Sequence, residues 1–382
     1  MKDKQTKKKL KVAFPHMGTV YIAWAAGLRR VGIEPFIPQY TSKETLSLGV
    51  KYSPEAICLP YKLILGNFIQ AIEGGADYVA MISSPGTCRM GEYSKGIEFA
   101  LKELGYEAKF IELQLYDSIK GMYNFFCRLS CQNRPFDFIP AIYIVIRKIF
   151  VLDELETIYS YYRAREVKFG TCEKIYRKGL KRIDAANNNK ELKAALKETH
   201  EEFKKVPLDE TREILHVNLT GEIYVVLDQF SNQDIEKELG KMGVEVHRSL
   251  CISSFVKDAI LPKIFVRGET HLQRAFRLAK PYLSRDIGGD ALESVSDVVY
   301  AKEQKRDGII HLSPFTCMPE IMAQNIFPAI REDVDMPVLS LTLDEQTGKA
   351  GYLTRLEAFV DLMRRKKRKK LQEQEKLLIS QS

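Results

Sequence analysis

The 382-residue sequence has no apolar run of the roughly 18 residues that a membrane-spanning helix needs. Its Lys-rich beginning has none of the apolar character of a secretory signal. It contains no G-x-G-x-x-G and no G-x-x-x-x-G-K-S/T motif, which excludes a Rossmann dinucleotide site and a phosphate-binding P-loop. These absences predict a cytoplasmic protein that has no membrane partner and does not itself hydrolyse ATP.

The excess of positive charge lies at the two ends of the chain. Lys and Arg outnumber Asp and Glu by 58 to 50, giving a net charge of +8. Without the six lysines of residues 1–11 and the seven basic residues of 364–370, the count is 45 to 49, a net charge of −4. We therefore interpret residues 1–9 and 364–382 as solvated basic tails and expect no nucleic-acid partner.

Strand and helix patterns alternate in both halves of the chain, which predicts an α/β protein with two parallel-sheet domains. We place the domains at residues 10–140 and 210–363 and a helical connector at 141–209. The open α/β arrangement places ligands at the carboxyl ends of the strands. The expected strands lie near residues 10–16, 34–38, 78–84, 108–113, 214–226, 245–251, 308–314 and 337–344.

Three of the seven cysteines share a repeated motif. Cys88 ends a Ser-Pro-Gly-Thr-Cys segment and Cys317 ends a Ser-Pro-Phe-Thr-Cys segment, each after a predicted strand and before a helix. Cys58 shares the Cys-x-Pro start of a helix with Cys317. Because a helix N-terminus lowers the pKa of a thiol, this placement suits reactive or metal-binding cysteines. We expect the three to converge on one site between the domains.

The other four cysteines are interpreted as buried structural thiols. Cys127, Cys131, Cys172 and Cys251 lie within apolar or amphipathic segments, and the sequence does not place them at helix starts. An odd number of cysteines in a cytoplasmic protein also argues against a disulfide framework.

Three soft ligands suit either zinc or iron–sulfur chemistry. Structural zinc sites usually use clustered C-x-x-C pairs, whereas these cysteines are single and widely spaced. The pattern therefore favours a [4Fe–4S] cluster held by Cys58, Cys88 and Cys317, with one iron open to another ligand. Separate buried thiols and a zinc site remain alternatives.

Three further residues are candidates for a role beside such a cluster. His16 follows the first strand and could donate a proton or act as a fourth ligand, although a loop histidine in solvent is the ordinary interpretation. Glu222 follows Gly221 within a β run and could approach the cleft between the domains, with an ordinary turn carboxylate as the equal alternative. Arg355 could offset the negative charge of a cluster, but it lies in a segment where Thr354 and Glu357 have the spacing of a helix capping box.

At these residues the sequence resembles the 2-hydroxyacyl-CoA dehydratase superfamily, in its branch related to CoA enzyme activases. The resemblance covers about residues 10–363 and implies two flavodoxin-like domains that hold an iron–sulfur cluster through Cys58, Cys88 and Cys317. It also implies a separate ATP-hydrolysing activase as electron donor, and a second dehydratase-like subunit or a homodimer. The matching segments are 58–67, 75–79, 84–88, 220–224, 313–319 and 344–359.

Three functions stay open at this point. The first is a reductase or dehydratase component that acts on a small substrate of the acyl-CoA type. The second is a non-catalytic electron carrier or cluster-holding partner. The third is a zinc-stabilised interaction protein whose basic tails bind nucleic acid.

Overall fold

The computed structural model describes residues 10–83, 88–107, 109–114, 121, 123–124, 138–260 and 268–381. The strands in this part of the chain are β1 (Lys11–Ala13), β2 (Glu34–Phe36), β3 (Tyr78–Ser83), β4 (Lys109–Gln114), β5 (Leu215–Gly221), β6 (Val244–Arg248), β7 (Gly308–Pro314) and β8 (Val338–Leu343). They form two four-stranded sheets in the orders β2-β1-β3-β4 and β6-β5-β7-β8, and every strand pair between neighbours is parallel. The predicted pair of flavodoxin-like parallel-sheet domains is confirmed.

Helices cover both faces of the first sheet, because successive residues of a strand point to opposite sides. They are α1 (Tyr21–Arg30), α2 (Lys43–Tyr52), α3 (Leu59–Glu73) and α4 (Tyr93–Glu103). Val12 and Ala80 pack into the core beneath α1. Their neighbours Ala13 and Val79 pack into a different core, which also contains α3 and α4. A sheet that is buried on both faces explains the nearly continuous apolar strands.

The second sheet is covered in the same way and shares a core with the first. Its helices are α8 (Ile223–Leu227), α9 (Ile235–Lys241), α10 (Ile252–Phe255), α11 (His271–Ala279), α12 (Ala291–Glu303), α13 (Met318–Val334) and α14 (Lys349–Gln381). Ile309 of β7 packs with α12 and α13. The adjacent Ile310 and Leu312 join the core cluster that contains Ala13 and Val79 of the first half. The two sheets are therefore joined by one apolar core.

Three helices occupy the region predicted as a connector: α5 (Phe138–Arg163), α6 (Thr171–Ala185) and α7 (Asn189–Phe203). Buried charges attach α5 to the second half, since Arg248 at the end of β6 pairs with Glu156 of α5 and with Glu236 of α9. No helix in the described part of the chain combines the length and apolarity that crossing a membrane requires. The limits of the domains and of the connector stay predictions.

The strand predicted across residues 214–226 is wrong in its last part, because α8 begins at Ile223. The carboxylate of Glu222 accepts hydrogen bonds from the backbone nitrogens of Tyr224 at 3.1 Å and Val225 at 3.0 Å, which starts the helix. Gly221 has a φ of 129°, and a Cβ there would lie 2.0 Å from the carbonyl oxygen of Leu312. Glycine is therefore required where the chain turns from β5 into the Glu222 cap.

The capping box expected at Thr354 and Glu357 is also wrong, because α14 begins five residues earlier, at Lys349. Thr354 lies within the helix, and its Oγ1 donates a hydrogen bond to the carbonyl oxygen of Ala350 at 3.1 Å. This is the usual local bond of a threonine inside a helix rather than that of a cap.

The basic segment after residue 363 continues α14 as far as Gln381, and its first residues are docked. Arg364 donates to the carbonyl oxygen of Met242 at 2.6 Å, and Lys367 donates to that of Ile214 at 3.0 Å. Lys366 pairs with Asp335. The expectation of a solvated tail is thus wrong for residues 364–367, while the side chains of residues 371–378 are exposed. The tail at residues 1–9 lies outside the described residues.

Candidate cysteine-loop site

Each of the three predicted cysteines stands at the residue before a helix, as the sequence pattern indicates. Cys58 precedes α3 and Cys317 precedes α13, and in both helices a proline occupies the first turn. Cys88 precedes a short 3-10 helix, Arg89–Glu92. We call residues 56–58, 88–89 and 316–317 the cysteine loops. Residues 84–87 of the Ser-Pro-Gly-Thr-Cys motif lie outside the described part of the chain.

Hydrogen bonds from Arg89 join the three cysteine loops. Its guanidinium donates to the carbonyl oxygen of Ala56 at 3.1 Å and to the carbonyl oxygen of Thr316. Thr316, which has a left-handed φ of 65°, in turn donates from Oγ1 to the carbonyl oxygen of Ala56 at 3.1 Å. One side chain next to Cys88 therefore holds together the loops that carry Cys58 and Cys317.

Glycine at position 289 allows a further close approach in the same place. Gly289 has a φ of 64°, and a Cβ added to it would lie 2.7 Å from Pro319 and 3.7 Å from the Cβ of Cys88. The loop between α11 and α12 thus packs against Pro319, which follows Cys317 by two residues, and against Cys88. A larger residue at position 289 would separate them.

Burial is the largest influence on the pKa of the three thiols, and nearby charges modify it. Burial raises the pKa of all three thiols, for Cys88 to about 11, and the nearby charge of Glu222 raises each further. Arg89 acts in the opposite direction on Cys58. Burial and Glu222 therefore act against the effect expected of the helix N-termini, which stays a prediction.

Two carboxyl groups next to the thiols are themselves perturbed. Burial, reinforced by the charge of Asp290, raises the pKa of Glu222 to about 8. Burial and the charge of Glu320 raise the pKa of Asp290 to about 7. Asp290 Oδ2 accepts a hydrogen bond from the backbone nitrogen of Ile223 at 2.9 Å, so it lies next to the start of α8. Both groups can hold a proton near neutral pH.

A cavity of about 420 Å³ opens beside Cys88 and Cys317. Glu222 and Asp290 lie at the same wall, and most of the remaining lining is apolar. The apolar wall includes Phe14, Trp24, Ile64, Ile149, Leu250 and Phe255. The lining thus comes from both halves and from the connector. Such a cavity suits a small, mainly apolar ligand that meets a few polar groups at one end.

Cys58 is buried but does not line this cavity. Its Sγ is 2.5 Å from the hydroxyl of Tyr93, which is also buried. Behind Cys317, the buried Glu320 accepts a hydrogen bond from Ser294 at 2.8 Å and lies 2.6 Å from Nε2 of His311. These contacts fix the first turns of the helices that begin after the cysteines.

The polar segment 344–347 contacts α3, the helix that follows Cys58. The ammonium of Lys62, in the first turn of α3, is buried and pairs with Glu345 at 2.7 Å. Thr347 donates to Asp344 Oδ1 at 2.8 Å and so closes the turn that presents Glu345. The segments around Cys58 and around Asp344 are thus in contact.

The structure brings Glu222 to the cysteine loops but places His16 and Arg355 elsewhere. His16 is buried, lies 2.7 Å from the carbonyl oxygen of Pro38 and stacks on Tyr40, although its neighbours Pro15 and Met17 line the cavity. Arg355 donates to the carbonyl oxygen of Ser340 at 2.8 Å on an exposed face. Neither side chain lines the cavity.

Sequence reasoning missed Arg89, Asp290 and Cys251. Cys251 follows β6, precedes α10 and lines the cavity, so its assignment to the interior of a segment is wrong. Cys172 is likewise in the first turn of α6, but it is fully buried away from the cavity. The strand–cysteine–helix order around Cys251 is a signal in the sequence that could have identified it. Cys127 and Cys131 lie outside the described residues.

Comparison with known proteins gives one family. The family model described as CoA enzyme activase uncharacterised domain (DUF2229) matches residues 14–251. This range includes Cys58, Cys88 and Glu222, whereas Cys317 lies beyond it. No curated protein matches the chain.

Proposed function

Because the chain belongs to the family of the CoA enzyme activase uncharacterised domain, we propose that it is an iron–sulfur protein of the 2-hydroxyacyl-CoA dehydratase type. Cys58, Cys88 and Cys317 hold a [4Fe–4S] cluster, and a separate ATP-hydrolysing activase supplies its electrons. The substrate is small, of the acyl-CoA type, and is reduced or dehydrated in the adjoining cavity. The observation that carries this proposal is the set of hydrogen bonds by which Arg89 joins the three cysteine loops.

The donor set fits a cluster better than a single ion. Three thiols around one zinc ion would stand about 3.8 Å apart, given zinc–sulfur distances of about 2.3 Å. In the described part of the chain, the three sulfurs do not all lie within 4.8 Å of one another. A cluster separates its thiolates by roughly 6–7 Å, and it deprotonates thiols whose pKa is high without it. When bound, it supplies a low-potential electron and an iron atom open to substrate.

Other residues of the chain supply charge compensation, a binding cavity and a proton donor for such chemistry. The guanidinium of Arg89 offsets negative charge at the cysteine loops, and the Tyr93 hydroxyl can donate to the Cys58 sulfur. The apolar cavity binds the acyl end of the substrate and excludes water. Glu222 holds a proton near neutral pH and lies in the cavity wall with Cys88 and Cys317, so it can pass that proton to a substrate group there.

The test is anaerobic purification with analysis of iron and sulfide, followed by EPR of the reduced protein. Serine at Cys58, Cys88 or Cys317 should remove most of the iron and the EPR signal, whereas Cys172→Ser is the matched control and should retain both. A full iron content in Cys317→Ser would overturn the proposed ligand set. A protein with the cluster that binds no acyl-CoA in calorimetry would favour the alternative of an electron carrier.

A further inference from the structure

A second group of metal-ligating side chains lies on the second sheet, apart from the cysteine loops. His216 of β5 stands opposite Glu245 of the neighbouring strand β6, and His247 is two residues further along β6. Since alternate residues of a strand share a face, Glu245 and His247 point to the same side. Among the described residues, these three form the one group of at least three histidine, cysteine or acidic side chains whose ligand atoms all lie within 4.8 Å of one another.

The distances within this group match those of a single coordinated ion. Nδ1 of His216 lies 3.3 Å from Nε2 of His247 and 3.7 Å from Oε2 of Glu245, and His247 Nε2 lies 3.2 Å from Glu245 Oε1. A tetrahedral zinc ion with ligands at about 2.0–2.1 Å separates two ligand atoms by about 3.3 Å. Two imidazoles and a carboxylate form a donor set that zinc and related ions accept, with a position left open.

The two histidine ligands are also accessible to a cation. The side chains of His216 and His247 are 37% and 25% exposed, so an ion can enter from solvent.

Positively charged side chains around the three ligands oppose the binding of a cation. Arg165, just after α5, pairs with Glu245 Oε2 at 2.6 Å. Arg306 lies in electrostatic range of Glu245, and Lys367 pairs at 3.2 Å with Asp307, whose carboxylate also accepts a hydrogen bond from the backbone nitrogen of His216. Binding of a metal ion by Glu245 therefore requires that the ion pair between Arg165 and this carboxylate breaks. The guanidinium has other contacts to retain, with the carbonyl oxygen of Tyr161 at 2.8 Å and over the Tyr161 ring.

We propose that His216, Glu245 and His247 form a binding site for a divalent transition-metal ion of the zinc type, in competition with Arg165. The site joins β5 to β6 at the edge of the second sheet. Metal binding releases Arg165 from Glu245 and so removes an ion pair between the connector and the second sheet. The site stands independently of the cluster at the cysteine loops.

The experiment titrates the EDTA-treated full chain with Co²⁺ under anaerobic, reducing conditions, and then displaces Co²⁺ with Zn²⁺. Nitrogen and oxygen ligands give visible cobalt bands without the near-ultraviolet charge-transfer band of thiolates, which separates this site from the cysteines. His216→Ala and His247→Gln should each lose these bands and weaken binding by about 100-fold. His200→Ala, on α7, is the matched control and should bind as the unmodified chain does.

A complementary variant leaves all three ligands in place. Arg165→Gln should bind Co²⁺ about tenfold more tightly, because Glu245 no longer has a competing cation. Circular dichroism and melting curves check the fold of each variant. Unchanged binding in folded His216→Ala and His247→Gln would overturn the proposal, and so would weaker binding in Arg165→Gln or a cobalt spectrum of thiolate bands alone. If the histidine variants do not fold, the spectrum of the unmodified chain and the Arg165→Gln titration decide.

Discussion

Glu222 combines a structural and an electrostatic role at the level of a single side chain. Its carboxylate caps α8 through two backbone nitrogens, and its charge raises the pKa of all three cysteine-loop thiols. Burial in turn raises its own pKa to about 8. The cap favours an ionised carboxylate, whereas burial and Asp290 favour a protonated one, and the second influence is the larger.

This balance predicts a pH dependence of stability in the chain without a cluster. Because the pKa of Glu222 is higher in the folded state than in the unfolded state, the folded protein keeps a proton that the unfolded chain releases. The contribution of Glu222 to the free energy of unfolding should therefore fall as pH rises from about 5 to about 8, by on the order of 3 kcal/mol. Urea unfolding at several pH values measures the slope.

Glu222→Gln should remove this part of the slope and leave the parts that come from other carboxyl groups whose pKa burial raises, Asp290 and Glu293 among them. The exposed Glu154→Gln is the control and should keep the slope of the unmodified chain. A slope that is the same in Glu222→Gln and in the unmodified chain would show that Glu222 does not titrate in this range.

The positions of Cys58, Cys88 and Cys317 before helices were predictable from sequence, because Pro60, Pro319 and the repeated motif mark those turns. The raised pKa of the thiols was not, since it depends on burial and on Glu222, which is far from them in the chain. Arg89 was missed for a similar reason. It donates to the backbone carbonyl oxygens of Ala56 and Thr316 and to Oγ1 of Thr316, and both residues are distant in sequence.

At the level of elements, α2 and α3 pack with their backbones nearly in contact. A Cβ at Gly66 would lie 2.0 Å from the carbonyl oxygen of Thr45, and one at Gly49 would lie 1.7 Å from that of Lys62. Since Cys58 immediately precedes α3, this contact also fixes the direction in which that cysteine is presented. The two glycines are therefore part of the support of the cysteine loops.

Gly66→Ala should lower the free energy of unfolding by about 2–3 kcal/mol, because the methyl group must push α2 and α3 apart. Gly351→Ala in α14 is the matched control, since nothing lies within 4 Å of its added Cβ, and it should stabilise by about 0.5–1 kcal/mol. Denaturant unfolding of both variants makes the comparison. Equal effects of the two substitutions would contradict the close helix contact.

A short, mainly apolar run bounded by turn residues was predictable, as β7 illustrates, since its predicted and observed limits agree at Gly308–Pro314. Ile223–Leu227 was not, because its β-branched residues favour a strand while the side chain of Glu222 starts a helix. The start of α14 was missed because Thr354 and Glu357 imitate a cap inside the helix. In the first case the hydrogen bonds of the Glu222 cap outweigh the strand propensity of the residues that follow. In the second, the hydroxyl of Thr354 bonds within the helix instead of capping it.

For the whole molecule, the parallel halves followed from the strand–helix alternation, whereas the cavity between them did not. Its wall combines Phe14, Ile149 and Leu250, which belong to the first half, the connector and the second half. Each segment buries apolar residues for its own packing, so the sequence does not distinguish a cavity wall from a core. The docking of α14 beyond residue 363 likewise depends on carbonyl groups of distant loops.

Shortening the chain at two points should separate the docked and exposed parts of α14. A chain that ends at Lys370 should keep its stability within about 0.5 kcal/mol, because the side chains of residues 371–378 are exposed. A chain that ends at Met363 loses the bonds of Arg364, Lys366 and Lys367 and should lose about 1–3 kcal/mol. Melting temperatures measure both, and equal stability of the two chains would show that this turn is not docked.

The bond from Thr316 to Ala56 spans 260 residues, and this separation has a consequence for biosynthesis. A ribosome that adds about 5–20 residues per second needs roughly 13–50 s to reach Thr316 after Ala56. During this interval Cys58 and Cys88 lack the loop that completes their surroundings. Under the proposed function, insertion of the cluster at all three cysteines would therefore follow translation, and a reducing environment would keep the first two thiols intact until then.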